Sequence, residues 1–269
     1  MTSAELARAC AEVLELLEAR HGVGSRGSHV PAWFTARLGR ALEALQAEAK
    51  IELGEVVRRL HDDAARLSEL ADVLRVGETC FYRDPAQWDA LRTSWLPGVT
   101  LDTLRAVSVG CSTGEEAWTL AMMLDDACRG TARTYRVVGM DRSGAALESA
   151  HEAAYPSSGV RALPTEWMQR YLSTSGDTVR VSAALRSKLR FVRRDLMAGM
   201  PPGSFELIVC KNVLIYFGDD AGARALELLF HALSPGGVLV VARSEVTRVR
   251  RLGYAAAQLA PGISVFSRA

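Results

Sequence analysis

The run Val107-Ser-Val-Gly-Cys-Ser-Thr-Gly-Glu-Glu116 constrains this chain more than any other. An apolar strand pattern leads into it, two glycines turn it and a helical pattern leaves it. A helix N-terminus carries free N–H groups and partial positive charge, and pyrophosphate-binding turns leave that end open for the anion. Here Glu115 and Glu116 already occupy it. The spacing Gly110-x-x-x-Gly114 also departs from the G-x-G-x-x-G of dinucleotide sites. An acidic helix start on such a turn suits a cofactor with a cationic end, and S-adenosylmethionine carries both a sulfonium and an ammonium group. A second reading stays open: Ser112 and Glu115 have the S-x-x-E spacing of a capping box, which accounts for that glutamate without any ligand.

The chain has 269 residues, enough for one large domain or a small one beside a larger one. A net charge of +1 gives no bias toward nucleic acid or a membrane surface. Cys10, Cys80, Cys111, Cys128 and Cys210 are scattered and never spaced C-x-x-C, which argues against a disulfide framework or a zinc site and for a reducing compartment. The N-terminus lacks the apolar core of a signal peptide, and no run approaches the ~20 apolar residues of a membrane span. The expectation is a cytoplasmic protein without a metal.

Residues 1–75 read as helical throughout. Leu6, Cys10, Val13, Leu14 and Leu17 form one stripe, Phe34, Leu38, Ala41, Leu42 and Leu45 a second, and Val56, Val57 and Leu60 a third. A glycine-rich loop from Gly22 to Gly27, followed by Pro31, separates the first two, and Leu67, Leu70, Ala71 and Leu74 continue the pattern. From residue 105 strands and helices alternate. Ala106–Val109, Arg136–Gly139, Leu189–Val192, Leu207–Cys210 and Val238–Ala242 read as strands, and Glu115–Asp126, Gly144–Ala154 and Asp220–Leu233 as helices. Such alternation implies a doubly wound α/β sheet, mostly parallel. The tail, with Pro261-Gly262 between two short runs, reads as a closing antiparallel hairpin. This is the layout of a class I methyltransferase preceded by a small all-helical domain.

Ligands of open α/β sheets bind at the carboxyl ends of the strands, which makes polar residues there candidates. Asp141 ends the second strand, where a carboxylate can accept bonds from both ribose hydroxyls; a helix N-cap is the other reading, although Ser143 and Gly144 lie closer to the helix start. Asp195-Leu196 ends the third, placed for the adenine amino group and ring, though Asp195 could instead cap a turn. Asn212 follows the fourth, where an amide can bond the methionyl end of the cofactor. Tyr216 is open to two readings, a site residue or a core tyrosine.

Four segments carry a resemblance to the chemotaxis-receptor methyltransferases of the CheR type: Gly77-Glu-Thr-Cys-Phe-Tyr-Arg-Asp84, Gly110-Cys-Ser-Thr-Gly-Glu-Glu116, Asp141 through Tyr155-Pro156, and Phe205-Glu-Leu-Ile-Val-Cys-Lys-Asn-Val-Leu-Ile-Tyr-Phe217. Pro235-Gly-Gly237 and Ser244-Glu245 follow in the same order. The resemblance implies methyl transfer from S-adenosylmethionine to glutamate side chains of chemoreceptor helices, leaving S-adenosylhomocysteine. It implies that Thr79, Arg83, Gly110, Glu115, Asp141, Asp195, Leu196 and Asn212 bind the cofactor, with Arg83 and Tyr216 beside the reacting atoms. It also implies a helical domain over 1–75 and a catalytic domain over 76–269 with a small β-subdomain at about 171–194. Arg37 and Arg40, on the second helix, are expected to steer acidic receptor helices, with a plain solvated helix face as the other reading.

The chain departs from the family pattern at Ala117-Trp118, where Pro followed by Tyr or Phe is usual, and at Ser143, Gly77 and Lys211, the last in place of arginine. Some relatives use the β-subdomain to capture a receptor's C-terminal peptide as an added strand. Here the turn, within Ser173-Thr-Ser-Gly-Asp177, shrinks to a tight Ser-Gly-Asp, so no dependence on a tether is expected, although Arg180, Arg186, Lys188, Arg190, Arg193 and Arg194 form a basic cluster nearby. A monomer is expected, with no nucleic-acid partner; an Asn/Asp-Pro-Pro-Tyr/Phe segment of base-amino methylation is absent after the fourth strand. Two alternatives remain: a catalytically silent regulatory protein that binds the cofactor or its product, and a carboxyl methyltransferase acting on a non-receptor protein.

Overall fold

A computed structural model describes residues 3–23, 32–74 and 79–267. The expected loop residues Gly24 to Gly27 and Pro31, and Gly77-Glu78 of the first family segment, lie outside the described residues. The chain forms two compact units, Met1–Val76 with Leu214–Ala225, and Gly77–Val213 with Leu226–Ala269. Among the described residues no helix is long and apolar enough to cross a membrane, and all five cysteines are free.

The first unit is built from α1 (Ser3–His21), α2 (Ala32–Ala49), α3 (Leu53–Asp62) and α4 (Ala64–Leu74). Their apolar stripes follow the helical period, and Val13, Leu17, Leu38, Leu42, Leu60, Leu67, Ala71 and Leu74 are fully closed off from water. Arg37 Nε donates to the Val73 carbonyl at 2.6 Å, tying α2 to the end of α4. A division into 1–75 and 76–269 misses one feature: Leu214–Ala225 groups with these helices. Val23 forms a β-bridge with Phe217, and Tyr216 is buried in the same cluster as Val13 and Leu60. Apolar side chains far along the chain join this core because burial, not sequence distance, is what stabilises it.

In the second unit, α5 (Pro85–Ala90) leads through a π-turn at Leu91–Trp95 to β1 (Thr103–Val109), and α6 (Glu115–Cys128), β2 (Thr134–Asp141) and α7 (Gly144–Glu152) follow. Next come β3 (Ala154–Pro156), α8 (Thr165–Tyr171), β4 (Leu172–Ser175), β5 (Thr178–Val181) and α9 (Ala183–Arg186). β6 (Leu189–Arg193), β7 (Phe205–Cys210), α10 (Asp219–Ala232), β8 (Leu233–Val241), α11 (Val246–Arg251), β9 (Ala256–Ala260) and β10 (Ile263–Ser267) complete the chain. The main sheet has the order β6-β2-β1-β7-β8-β10-β9. Its first five strands run parallel and the last two antiparallel, as the alternating pattern and the tail hairpin implied. β7 is buried along its whole length, which explains its unbroken apolar run. Trp118, Leu120, Met122 and Met123 of α6 pack into the core with Ala106, Val137, Leu207 and Val240.

The small sheet, in the order β3-β5-β4, corrects the expected β-subdomain at 171–194. Leu189–Arg193 does not belong to it, because this segment pairs in parallel with β2 and forms the edge of the main sheet. The third strand comes instead from Ala154–Pro156, read from sequence as a helix end and the residues after it. Ala153, at φ +51°, closes α7 in the left-handed region and turns the chain into β3.

Candidate cofactor site

β1 ends at Val109 and is followed by Gly110, whose φ of +70° suits glycine; a Cβ there would lie 2.4 Å from Val213 Cγ2, after β7. The Gly110 and Cys111 N–H groups donate to the Met140 carbonyl at 2.7 and 3.1 Å, fastening the turn to the end of β2. Ser112, at φ +50°, donates its N–H to Asp141 Oδ2 at 2.9 Å. The N-cap of α6 is Gly114, at φ +98°, with no side-chain cap bond. A Cβ at Gly114 would lie 2.9 Å from Ala150 Cβ and 3.0 Å from the Tyr155 hydroxyl. The capping-box reading of Ser112 therefore fails: the helix starts too late for Ser112 to be its N-cap.

The paired glutamates have different surroundings. Glu116 accepts a bond from Ser108 Oγ at 2.8 Å, so it is held against β1. Glu115 accepts from Thr113 Oγ1 at 2.7 Å. Burial raises both carboxyls above their ordinary range, opposed at Glu115 by the Thr113 hydroxyl and at Glu116 chiefly by the Lys211 charge.

Asp141 Oδ1 accepts the Ser143 N–H and Oδ2 the Ser112 N–H, both at 2.9 Å. Each carboxylate oxygen has two acceptor sites, so one on each remains for a ribose hydroxyl. Ser143, one of the departures, N-caps α7 by accepting the Ala146 N–H. Asp195 combines both of its readings: Oδ1 caps the 3-10 turn Leu196–Ala198 through the Met197 N–H at 2.9 Å, while Oδ2 faces the buried Arg142 at 3.6 Å. Leu196 beside it is buried. Asn212, at φ +59° beyond β7, donates its N–H to Glu245 Oε2 at 3.0 Å, and the Ala242 N–H donates to the same oxygen at 2.9 Å. Glu245 is 1% exposed. Its part in holding Asn212 was invisible in the sequence, where only its place in Ser244-Glu245 after a strand hinted at one.

The segment carrying Thr79 and Arg83 is locked to α6. The Tyr82 N–H donates to Thr119 Oγ1 at 3.0 Å, and Thr119 in turn donates to the Glu115 carbonyl at 2.7 Å. Phe81 is fully buried, edge-on to Tyr155 at 4.9 Å, and the Tyr155 hydroxyl donates to the Thr113 carbonyl at 2.7 Å. The Arg83 carbonyl accepts from Lys211 Nζ at 2.6 Å and from Trp88 Nε1 at 2.9 Å. Lys211 also pairs with Asp84 at 3.2 Å and lies 5.4 Å from the centre of the Trp88 ring. The lysine that departs from the family pattern is thus a buried brace under Arg83.

Gly110, Glu115, Asp141, Asp195, Leu196 and Asn212 all lie at or shortly after the carboxyl ends of four adjacent strands, β1, β2, β6 and β7, with the Thr79–Arg83 segment tied to the same α6. Tyr216, Arg37 and Arg40 belong to the helical unit. A free acceptor pair at Asp141, a carboxylate at a helix start and a glycine cradle fit the ribose, the cationic end and the close approach of S-adenosylmethionine.

Fold and site together define an S-adenosylmethionine-dependent methyltransferase of class I. The family model "CheR methyltransferase, SAM binding domain" matches residues 77–256, and the chain belongs to that family. It is 34% identical to a chemotaxis protein methyltransferase of Listeria monocytogenes, over 77% of this chain and 79% of that one. It is 29% identical to chemotaxis protein methyltransferase 1 of Pseudomonas aeruginosa, over 88% and 90% of the two chains. Among solved structures, a DhpI–SAH complex is similar at a TM-score of 0.41 and 15% identity, covering 89% of this chain and 96% of that one.

Proposed function

We propose that this protein methylates glutamate side chains of chemotaxis receptors, acting in the cytoplasm as a monomer. The observation that carries this reading is the braced Arg83, a cation for a carboxylate substrate on a segment bonded to the cofactor helix. The names of the relatives support the receptor as substrate.

When bound, S-adenosylmethionine supplies an electrophilic methyl group on a sulfonium. A glutamate carboxylate, with an ordinary pKa near ~4.3, is already an anion at neutral pH, so no residue has to remove a proton. Joining opposite charges is favoured in a dry pocket, and the remaining task is alignment. Arg83 positions the substrate carboxylate; too tight a bidentate grip would hold the ground state equally well. On the family resemblance, Tyr216, which is buried with Val13 and Leu60, is assigned to orienting the incoming carboxylate or methyl group. Asp141 takes the ribose hydroxyls, Asp195 and Leu196 the adenine, and Glu115 and Asn212 the methionyl end.

Labelled S-adenosylmethionine, incubated with the protein and receptor-containing lysate of its host, should label a receptor-sized band that releases methanol in base. Arg83→Ala and Tyr216→Phe should each lower turnover, by about a hundredfold for the arginine, because misplaced reactants cost that order of rate. Unchanged turnover in both would refute these roles, and cofactor binding without any transfer would point to a silent regulatory protein.

A further inference from the structure

The crossover from β6 to β7 contains one 3-10 turn, Leu196–Ala198, and no α-helix. Crossovers between parallel strands ordinarily carry a helix that covers the sheet. Here a cavity of about 470 Å³ opens at the amino ends of β1, β2, β6 and β7, the opposite ends from the cofactor residues. Arg105, Arg136, Lys188, Arg190, Ser204 and Phe205 are among its lining residues.

The strand register concentrates positive charge on one face of this cavity. Arg105 stands directly opposite Arg136, and Arg190 opposite Val138, two residues along β2 from Arg136 and therefore on the same side. Like charges on neighbouring strands destabilise a sheet unless something neutralises them. Glu206 does so for Arg105 alone: the guanidinium meets its Oε1 at 2.9 Å, and Ser204 Oγ lies 3.2 Å away. Glu206 is further engaged by the Arg105 N–H at 2.6 Å and the Ser234 hydroxyl at 2.9 Å. Among the described residues Arg136 and Arg190 have no acidic partner, and both are exposed.

The volume lies in the range of small-molecule sites, about 300–1,000 Å³. Three adjacent strands about 4.8 Å apart spread their guanidiniums over roughly 10 Å, wider than a single carboxylate or phosphate. Guanidinium forks match phosphate oxygens two at a time. We propose that this cavity is a second binding site, separate from the methyl-transfer centre, for a small ligand carrying two linked phosphates. Arg105, Arg136 and Arg190 hold the phosphates, and the Ser204 hydroxyl is the nearby neutral donor. The proposal rests on the fold and does not depend on which substrate is methylated.

Calorimetry of the full chain with inorganic pyrophosphate, in saturating S-adenosylhomocysteine, tests it. One-to-one binding is expected, weakened at least tenfold by the double variant Arg136→Gln/Arg190→Gln and by raised salt. The double variant should keep its melting temperature, cofactor affinity and turnover. Arg136→Lys/Arg190→Lys, which retains charge but not the fork, should bind at an intermediate level. No heat at about 1 mM pyrophosphate, a Kd at the millimolar edge of useful binding, would overturn the proposal. So would equal binding by the Gln variant or by inorganic sulfate, and so would preferential binding of poly-glutamate, which would make the face a protein-docking surface.

Discussion

Lys211 shows how one residue can bear on both stability and rate. Its side chain is 1% exposed, and it neutralises Asp84, offsets the cost of burying Glu116 and bonds the Arg83 carbonyl. Lys211→Met removes the ion-pair partner of Asp84 and the larger of the two positive charges acting on Glu116, leaving only the weaker influence of Arg83 there. Because Asp84 is partly solvated, a loss of about 2 kcal/mol is expected, below the range for breaking a fully buried pair. A Tm drop of several degrees in a melting scan would register it. Turnover should fall too, since the Arg83 carbonyl then loses the Lys211 bond and keeps that of Trp88, whereas Lys211→Arg should recover most of both. Glu116 provides a pH test. Burial raises its carboxyl above the ordinary 4.5, so its contribution to stability is present below that value and lost as pH rises through the raised one. The Tm of Glu116→Gln should therefore fall less than that of the native protein as pH is raised from about 4.5 toward neutrality. A parallel pair of curves would show that Glu116 does not titrate this way.

At the scale of elements, the start of α6 and the β4–β5 hairpin decide most. The two-residue turn at Gly176-Asp177 joins strands paired from Leu172↔Val181 to Ser175↔Thr178, leaving β4 a four-residue edge. So short an edge offers few backbone groups for an added strand. Calorimetry with C-terminal receptor peptides of the host should show no binding; micromolar affinity lost on mutating β4 would contradict this. On α2, the bond from Arg37 to the Val73 carbonyl shows that this arginine has a structural task, while Arg40 is exposed. Arg40→Glu should raise the receptor KM without changing Tm or cofactor affinity, whereas Arg37→Glu should also lower Tm. An unchanged KM in Arg40→Glu would leave α2 as a solvated face.

For the whole molecule, a ligand that binds only the folded state stabilises it by about 2.7 kcal/mol at a hundred times its Kd. S-adenosylhomocysteine at that excess should raise the melting temperature of the native protein, and much less that of Asp141→Asn, whose ribose acceptors are weakened. Much of this fold was legible in the chain itself. Helical stripes such as Leu67, Leu70, Ala71 and Leu74, and the unbroken apolar run of β7, follow from local periodicity, which the backbone geometry imposes on any sequence that buries one face. The residues at the ends of β1, β2, β6 and β7 were legible because a parallel sheet brings its carboxyl ends together. What only the tertiary structure decided were relations between distant segments. Leu189–Arg193 joined the main sheet because β2 offered it a parallel ladder, and Leu214–Ala225 grouped with the helices because Phe217 and Tyr216 found their burial there. Ser112 lost its capping role once Gly114, crowded by Ala150 and Tyr155, became the helix start. Local pattern records which faces are apolar and where a chain must turn; which partner covers each face is settled only when packing and charge are satisfied together across the whole chain.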